Sequence, residues 1–246
     1  MESIQVMEKN IEKLDEEQCQ KEKQKAIEYN EALQGENIKD PFVPGSGVVL
    51  PDNYNEIMDF GDGIMGELDI PCIGVKMPIY HGTEEEVLQK GAGHLYQTAF
   101  PIGGDGTHCV LSGHTGLPSA ELLTDLDEVK KGDCFYIKVL NETLAYKVDR
   151  ILVVEPNDTT ALKPEKRKDY VTLVTCTPYG VNSHRLLVRG TRIPYTAGAE
   201  DEGPYVLKNV TNLEAVSWWV VIAVFGAVVV IIILLGIIIF RKGKKD

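Results

Sequence analysis

The sequence predicts a mainly β domain with short helices, with an N-terminal helix before it and a transmembrane helix after it. Three features carry this reading. Between Gly66 and Arg192 the chain breaks into short apolar, β-branched runs separated by turn residues. Ahead of them lies a long polar stretch with one narrow apolar stripe. Behind them, Trp218–Phe240 (WWVVIAVFGAVVVIIILLGIIIF) runs for 23 positions without a charge.

In chain order, residues 3–34 read as one helix. Ile4, Met7, Ile11 and Leu14 fall at heptad-like spacing, a stripe that packs on the main domain or forms a stalk. Gly35 ends it. Residues 40–47, DPFVPGSG, break regular structure twice with proline, and on composition alone they read as a linker. The β-like runs are Gly66–Ile70, Ile73–Tyr80, His108–Gly113, Cys134–Leu140, Thr143–Glu155, Tyr170–Cys176 and His184–Arg192. Asn141 and Glu142 make a tight connection between two of them. Helical stretches are few. TEEEVLQKG is one, with Thr83 and Glu86 as a capping box and Gly91 as the stop; LPSAELLTDL holds another. Many short strands joined by turns indicate a closed or sandwiched β-structure. Residues 196–217 form a polar tether.

The charge-free segment at residues 218–240 makes a helix about 35 Å long, against a hydrocarbon core of about 30 Å. A buried core helix of that length shows a polar face, and this one has none. Trp218 and Trp219 suit the interface. The tail at 241–246, RKGKKD, carries +3 and leaves −15 of the whole-chain −12 ahead of the helix. The positive-inside rule keeps such a tail in the cytoplasm and places the acidic bulk outside. A surface so acidic argues against nucleic acid and against docking on anionic lipid; membrane lipid meets the helix alone. Export of the domain calls for a signal, yet residues 1–30 hold no apolar signal core. Either an N-terminal segment is missing, which is the expectation, or the export route is unusual.

Five cysteines are present, Cys19, Cys72, Cys109, Cys134 and Cys176. The odd count leaves at least one thiol unpaired within the chain. No C-x-x-C and no His/Cys spacing suggests zinc, so no metal or organic cofactor is assigned. Cys72, Cys109 and Cys134 lie in apolar strand-like segments and read as buried, unreactive thiols.

Cys176 differs. In TLVTCTPYG an apolar run ends on the thiol and a turn follows at once. A strand end fixes a sulfur on a rigid scaffold, and the turn exposes it. Arg185 stands nine residues on. If Tyr170–Cys176 and His184–Arg192 pair as an antiparallel hairpin, the two side chains meet at its open end. A guanidinium there favours thiolate over thiol and donates hydrogen bonds to an oxyanion. Such a nucleophile also needs a proton partner, usually histidine. His114, in VLSGHTGLPS, ends an apolar strand just as Cys176 does. His81 and His94 lie beside turn glycines with no strand leading into them, and His108 starts a strand. His184 points away from Arg185 if both lie on one strand, as a structural histidine packed behind the site. Spacing alone puts His114 first and leaves the others open.

Together, TLVTCTPYGVNSHR and LSGHTG resemble the sortases, membrane-anchored cysteine transpeptidases of Gram-positive bacteria, over roughly residues 38–195. The resemblance implies an eight-stranded β-barrel, with Cys176 as nucleophile, His114 as general acid/base and Arg185 as oxyanion or substrate stabiliser. HTGLPSAELLTDLD and the cysteine segment look like class C, the pilin polymerases, whose lid carries an Asp-Pro-aromatic motif. DPF matches it. On that resemblance Asp40, Pro41 and Phe42 become a lid rather than a linker, with Asp40 on Arg185 and Phe42 over Cys176. Phenylalanine replaces the tryptophan common there. The implied organisation is an N-terminal helical segment (1–39), a lid loop (40–47), a catalytic barrel (48–195), the tether, the membrane helix and the basic tail. The implied partners are pilin or surface proteins with Leu-Pro-x-Thr-Gly-like sorting signals and an acceptor lysine of another pilin. The implied location is the cell membrane, with the domain outside.

Other readings make different demands. A sortase that anchors single proteins to the wall shares the three site residues, and the DPF lid argues against it. A wall-anchored surface protein needs the sorting pentapeptide ahead of its helix, and residues 196–217 contain none; LPSAE at 117–121 is only a partial match. A papain-like peptidase places cysteine before histidine, the reverse of the order here.

Overall fold

The computed structural model describes residues 2–33, 53–115 and 122–197. The expected lid and membrane helix, most of the tether and the basic tail lie outside the described residues. Among the described residues no helix is long and apolar enough to cross a membrane.

Eight strands close into a barrel in the order β1-β2-β3-β4-β7-β8-β6-β5. They are β1 Ile64–Ile70, β2 Val75–His81, β3 Ala92–His94, β4 Thr107–Ser112, β5 Cys134–Val139, β6 Glu142–Val154, β7 Asp169–Thr177 and β8 His184–Ile193. Closure pairs each of these eight strands on both sides. Two of the pairings, β2 with β3 and β4 with β7, are parallel. Alternation sends Cys109, Leu111, Phe135, Ile137, Leu144, Tyr146, Val171, Leu173, Leu186 and Val188 into one core. A second apolar cluster gathers Val110, Val174 and Leu187, from the opposite parity of β4, β7 and β8, with Leu95 and Leu162. It therefore lies on the outer face of the wall.

The seven expected strands are present with shifted ends. β2 begins at Val75 because Pro71–Ile73 forms a 3-10 turn closed by Gly74 at φ +66°. The β5–β6 turn is Leu140–Asn141, one residue earlier than expected, since Val139 pairs with Glu142. β3 was not expected: three residues, one of them glycine, give no periodicity to read.

The N-terminal region is two helices, α1 Glu2–Ile11 and α2 Glu16–Ala32, rather than one. Asp15 breaks it by capping α2. Its side chain accepts from Gln18 N while the Gln18 side chain accepts from Asp15 N. Of the expected stripe, Ile4, Met7 and Ile11 join the barrel's own core cluster, as do Ala26 and Tyr29 of α2. The helices thus pack on the domain. α3 spans only Glu85–Leu88, with Glu84 as its N-cap and no side-chain cap. The Thr83–Glu86 capping box does not form, because a four-residue turn starting one residue later leaves Thr83 outside it. Of the expected helix in LPSAELLTDL, residues 117–121 lie outside the described residues, and the next turn is 3-10 over Leu126–Glu128.

Candidate active site

β7 carries Cys176 next to last, and β8 carries Arg185 second. The two are direct antiparallel partners across the ladder. Tyr170–Cys176 and His184–Arg192 pair as a hairpin because both are apolar, β-branched runs joined by a short turn-rich loop. In that loop the Thr177–Pro178 bond is cis, and Pro178 O accepts from Val181 N and Asn182 N. Tyr179 and Val181 stand out into solvent.

On its other side β7 pairs with β4 in parallel, Thr107 with Asp169 through Ser112 with Val174. That register, carried two residues beyond Ser112, brings His114 level with Cys176. Gly113 N donates to Val174 O at 3.0 Å, and Thr175 Oγ1 donates to Gly113 O at 2.7 Å. These bonds hold the chain against β7 past the end of β4. Neighbouring strands lie about 4.8 Å apart. Cys176 and Arg185 thus occupy one level on β7 and β8, and His114, just past the end of β4, comes to that level beside them. All three share the parity of Val110, Val174 and Leu187, so they project from the outer face of the wall. The second apolar cluster lies just below them.

Each environment suits its residue type. Cys176 is half-buried, fixed yet reachable. Arg185 is buried, with Nη1 donating to Asn182 O at 3.3 Å and His184 O at 3.2 Å. Those carbonyls help to orient the guanidinium. The His114 ring is 20% exposed, and its Nε2 lies 3.1 Å from Glu85 Oε2. A thiol, a cation and an imidazole at one level can perform nucleophilic attack, oxyanion stabilisation and proton transfer.

The other histidines are placed differently from the expectation in two respects. His81 and His94 do have strands leading into them, since they end β2 and β3. Both are buried and held. His81 Nε2 lies 2.7 Å from Ile57 O, and His94 bonds Tyr54 Oη and Ala99 O. Burial drives the His94 pKa down to about 3 and that of His108 to about 4. His184 is not packed behind the site. It sits half-exposed on the rim, Nε2 3.3 Å from Glu155 Oε1, because it lies where β8 leaves the loop.

The remaining cysteines are free thiols. Cys109 is buried in β4 and Cys134 lies on β5, but Cys72 sits in the 3-10 turn before β2, half-buried. Burial raises the pKa of all three, that of Cys72 to about 11. Among the described residues no three His, Cys, Asp or Glu side chains gather as a metal-holding group.

Asp40, Pro41 and Phe42 lie outside the described residues. Glu85 was missed by sequence reasoning. It sits in a run of acids that reads as a solvated helix start, and only the tertiary placement of α3 brings it to His114.

Residues 68–193 match the sortase domain. Among curated proteins the chain is similar to sortase D of Bacillus subtilis, 28% identical over 131 residues, which cover 52% of this chain and 63% of that protein. It is also similar to sortase A of Staphylococcus aureus, 34% identical over 119 residues, which cover 47% and 56%. The chain thus spans less than two thirds of the length of these relatives. Solved structures match more of it. Sortase C of Streptococcus pneumoniae is 43% identical, covering 80% of this chain and 99% of that one, with a TM-score of 0.74. Sortase C1 of Streptococcus agalactiae is 41% identical, covering 78% and 99%, with a TM-score of 0.71. The domain match covers half of the chain and contains the whole Cys176–Arg185 hairpin, and this chain belongs to the sortases, a family of cysteine transpeptidases.

Proposed function

We propose that the chain is a membrane-anchored, pilin-joining transpeptidase of class C. It would cut a Leu-Pro-x-Thr-Gly-like signal between threonine and glycine and pass the threonine carbonyl to a lysine of another pilin. The observation that carries the reading is the level that Cys176 and Arg185 share on β7 and β8 and that the β4–β7 register, carried two residues past β4, gives to His114. Support for the class comes from the neighbours, since the S. pneumoniae sortase C is described for its pilin substrate specificity and a sortase C of group B Streptococcus as pilus-related.

In this mechanism the Cys176 thiolate attacks the threonine carbonyl carbon. The carbonyl electrons move to oxygen, and the oxyanion accepts hydrogen bonds from Arg185. As the tetrahedral species collapses, the carbon–nitrogen bond breaks. His114 gives its proton to the departing glycine amine, leaving a thioester. A neutral lysine amine then attacks that thioester and yields a proton to His114. The carbon–sulfur bond breaks, and an isopeptide bond and the thiolate result. The steps close on themselves, so the reaction calls on no outside oxidant or cofactor. Asp40 and Phe42 would act as a lid over Arg185 and Cys176, and residues 218–240 as the anchor.

The test uses the full chain in detergent with a Leu-Pro-x-Thr-Gly peptide and a pilin domain bearing an acceptor lysine, followed by mass. A Cys176→Ala chain and an Asp40→Ala/Phe42→Ala chain run beside it. The expected result is a Cys176-dependent acyl adduct that passes to lysine. Transfer only to water or a small amine would reject pilin joining. No adduct in any form, lid variant included, would reject the catalytic reading.

A further inference from the structure

The hydrogen bond between His114 and Glu85 follows from the topology. β3 runs antiparallel to β4, with Gly93 opposite Ser112. Residues just before β3 therefore lie beside residues just after β4. α3 is the segment just before β3, and His114 comes just after β4.

Packing sets the placement. Leu88 of α3 is buried. Gly93 leaves no room above it, since a Cβ there would stand 2.3 Å from Gly82 O and 3.0 Å from Leu88 Cδ2. The absence of a side chain at Gly93 lets α3 settle onto the barrel mouth. Glu85 opens α3, and its carboxylate is held at both oxygens. Gln89 Nε2 donates to Oε1 at 3.0 Å, one helical turn on, and His114 Nε2 lies 3.1 Å from Oε2. The Gln89 amide first, and His114 after it, hold the Glu85 carboxyl below its ordinary range.

An ionised carboxylate can only accept. The proton of the neutral imidazole must then sit on Nε2, and Nδ1 carries the lone pair. We propose that Glu85, steadied by Gln89, is a positioning residue that fixes the His114 tautomer and ring orientation, so that Nδ1 is the nitrogen that exchanges protons with substrate. The proposal rests on the transpeptidase reading for its kinetic consequence, but the tautomer itself can be read without any turnover. Glu85 touches no reacting atom. Its side chain is 65% exposed, so its effect is modest, in the range of surface ion pairs.

The experiment is nitrogen NMR on the full chain in detergent, labelled at histidine, with His114 assigned by loss of its signals in His114→Gln. The parent should show the neutral ring protonated at Nε2. Glu85→Ala should move His114 toward a mixture of tautomers. Glu85→Gln keeps an acceptor oxygen and should retain the parental tautomer. In peptide turnover, Glu85→Ala should lower kcat about 2- to 5-fold with KM unchanged, and Glu85→Gln should recover most of that loss. Melting temperatures should match throughout, since the side chain is exposed. The same ring-nitrogen shifts in Glu85→Ala as in the parent would overturn the proposal. So would a fall in activity that Glu85→Gln does not recover. A parent chain without turnover would reject the transpeptidase reading, and the tautomer measurement would still decide the role of Glu85.

Discussion

Cys176 and Arg185 face each other as paired residues of β7 and β8, one strand position before the hairpin opens into its loop. The pairing fixes the guanidinium relative to the sulfur through the ladder itself. A planar fork held by two backbone carbonyls cannot be replaced by a point charge on a flexible stem. Arg185→Lys should therefore keep the fold and lose acyl-enzyme formation by roughly 10²- to 10³-fold, the scale of a lost oxyanion donor. Single-turnover acylation with the sorting peptide checks this, with circular dichroism as the control. A loss under threefold would remove Arg185 from the oxyanion role.

Thiol chemistry should separate Cys176 from three other cysteines. Burial raises Cys72, Cys109 and Cys134, and a protonated thiol is a poor nucleophile. Iodoacetamide at neutral pH should label Cys176 ahead of those three. In Cys176→Ala, labelling at Cys72 should rise only as pH approaches about 11, its own pKa. The lid reading adds a second outcome, faster Cys176 alkylation in Asp40→Ala or Phe42→Ala. Peptide mapping measures both, and equal Cys176 rates in lid variant and parent would count against the lid.

Acid should destabilise the barrel through its buried histidines. His94 and His108 titrate near 3 and 4 when folded, against about 6.5 when unfolded. Below pH 6.5 the unfolded chain binds protons that the folded chain refuses. Stability then falls as pH falls, until each folded pKa is reached. The slope is at most about 1.4 kcal/mol per pH unit for each histidine. Asp169 acts with the opposite sign: burial holds its carboxyl above the ordinary value, so the folded state takes up its proton first. Urea unfolding between pH 7 and 5 should show the decline, and His108→Gln should make it shallower. An unchanged slope in that variant would reject His108 as a source.

What could be read from the sequence was what local pairing decides. The Cys176–Arg185 hairpin spans a short loop, so its register follows from two apolar runs and a turn. His114 was a different matter. Its level beside Cys176 depends on the parallel β4–β7 pairing, whose partners stand 62 residues apart, as His108 and Tyr170 do. No local pattern encodes that, and the family resemblance supplied it. The Asp15/Gln18 capping box was visible in the letters, but the heptad through Leu14 masked it, so two helices read as one. Glu85 was hidden for the same reason as β3. Its meaning lies wholly in which loop the barrel places beside it.

Gly190 tests the packing that carries Arg185. It lies on β8, its missing side chain directed at the core. A Cβ there would stand 2.6 and 2.7 Å from Phe135 Cε1 and Cζ and 2.8 Å from Tyr146 Cβ. Those rings cannot readily yield. They are stacked with centroids 5.6 Å apart and are fully buried. The Tyr146 hydroxyl also donates to Asp169 Oδ1 at 3.0 Å. Gly190→Ala must therefore push β8 outward or tilt the stack, and overpacking of this kind costs about 1–3 kcal/mol. For a domain of this size that lowers the melting temperature by roughly 2–12 °C. Phe135→Leu in the same chain removes the blocking ring atoms. The double variant should then lose less than the two single losses combined. Additive losses would show that Phe135 is not what Gly190 makes room for.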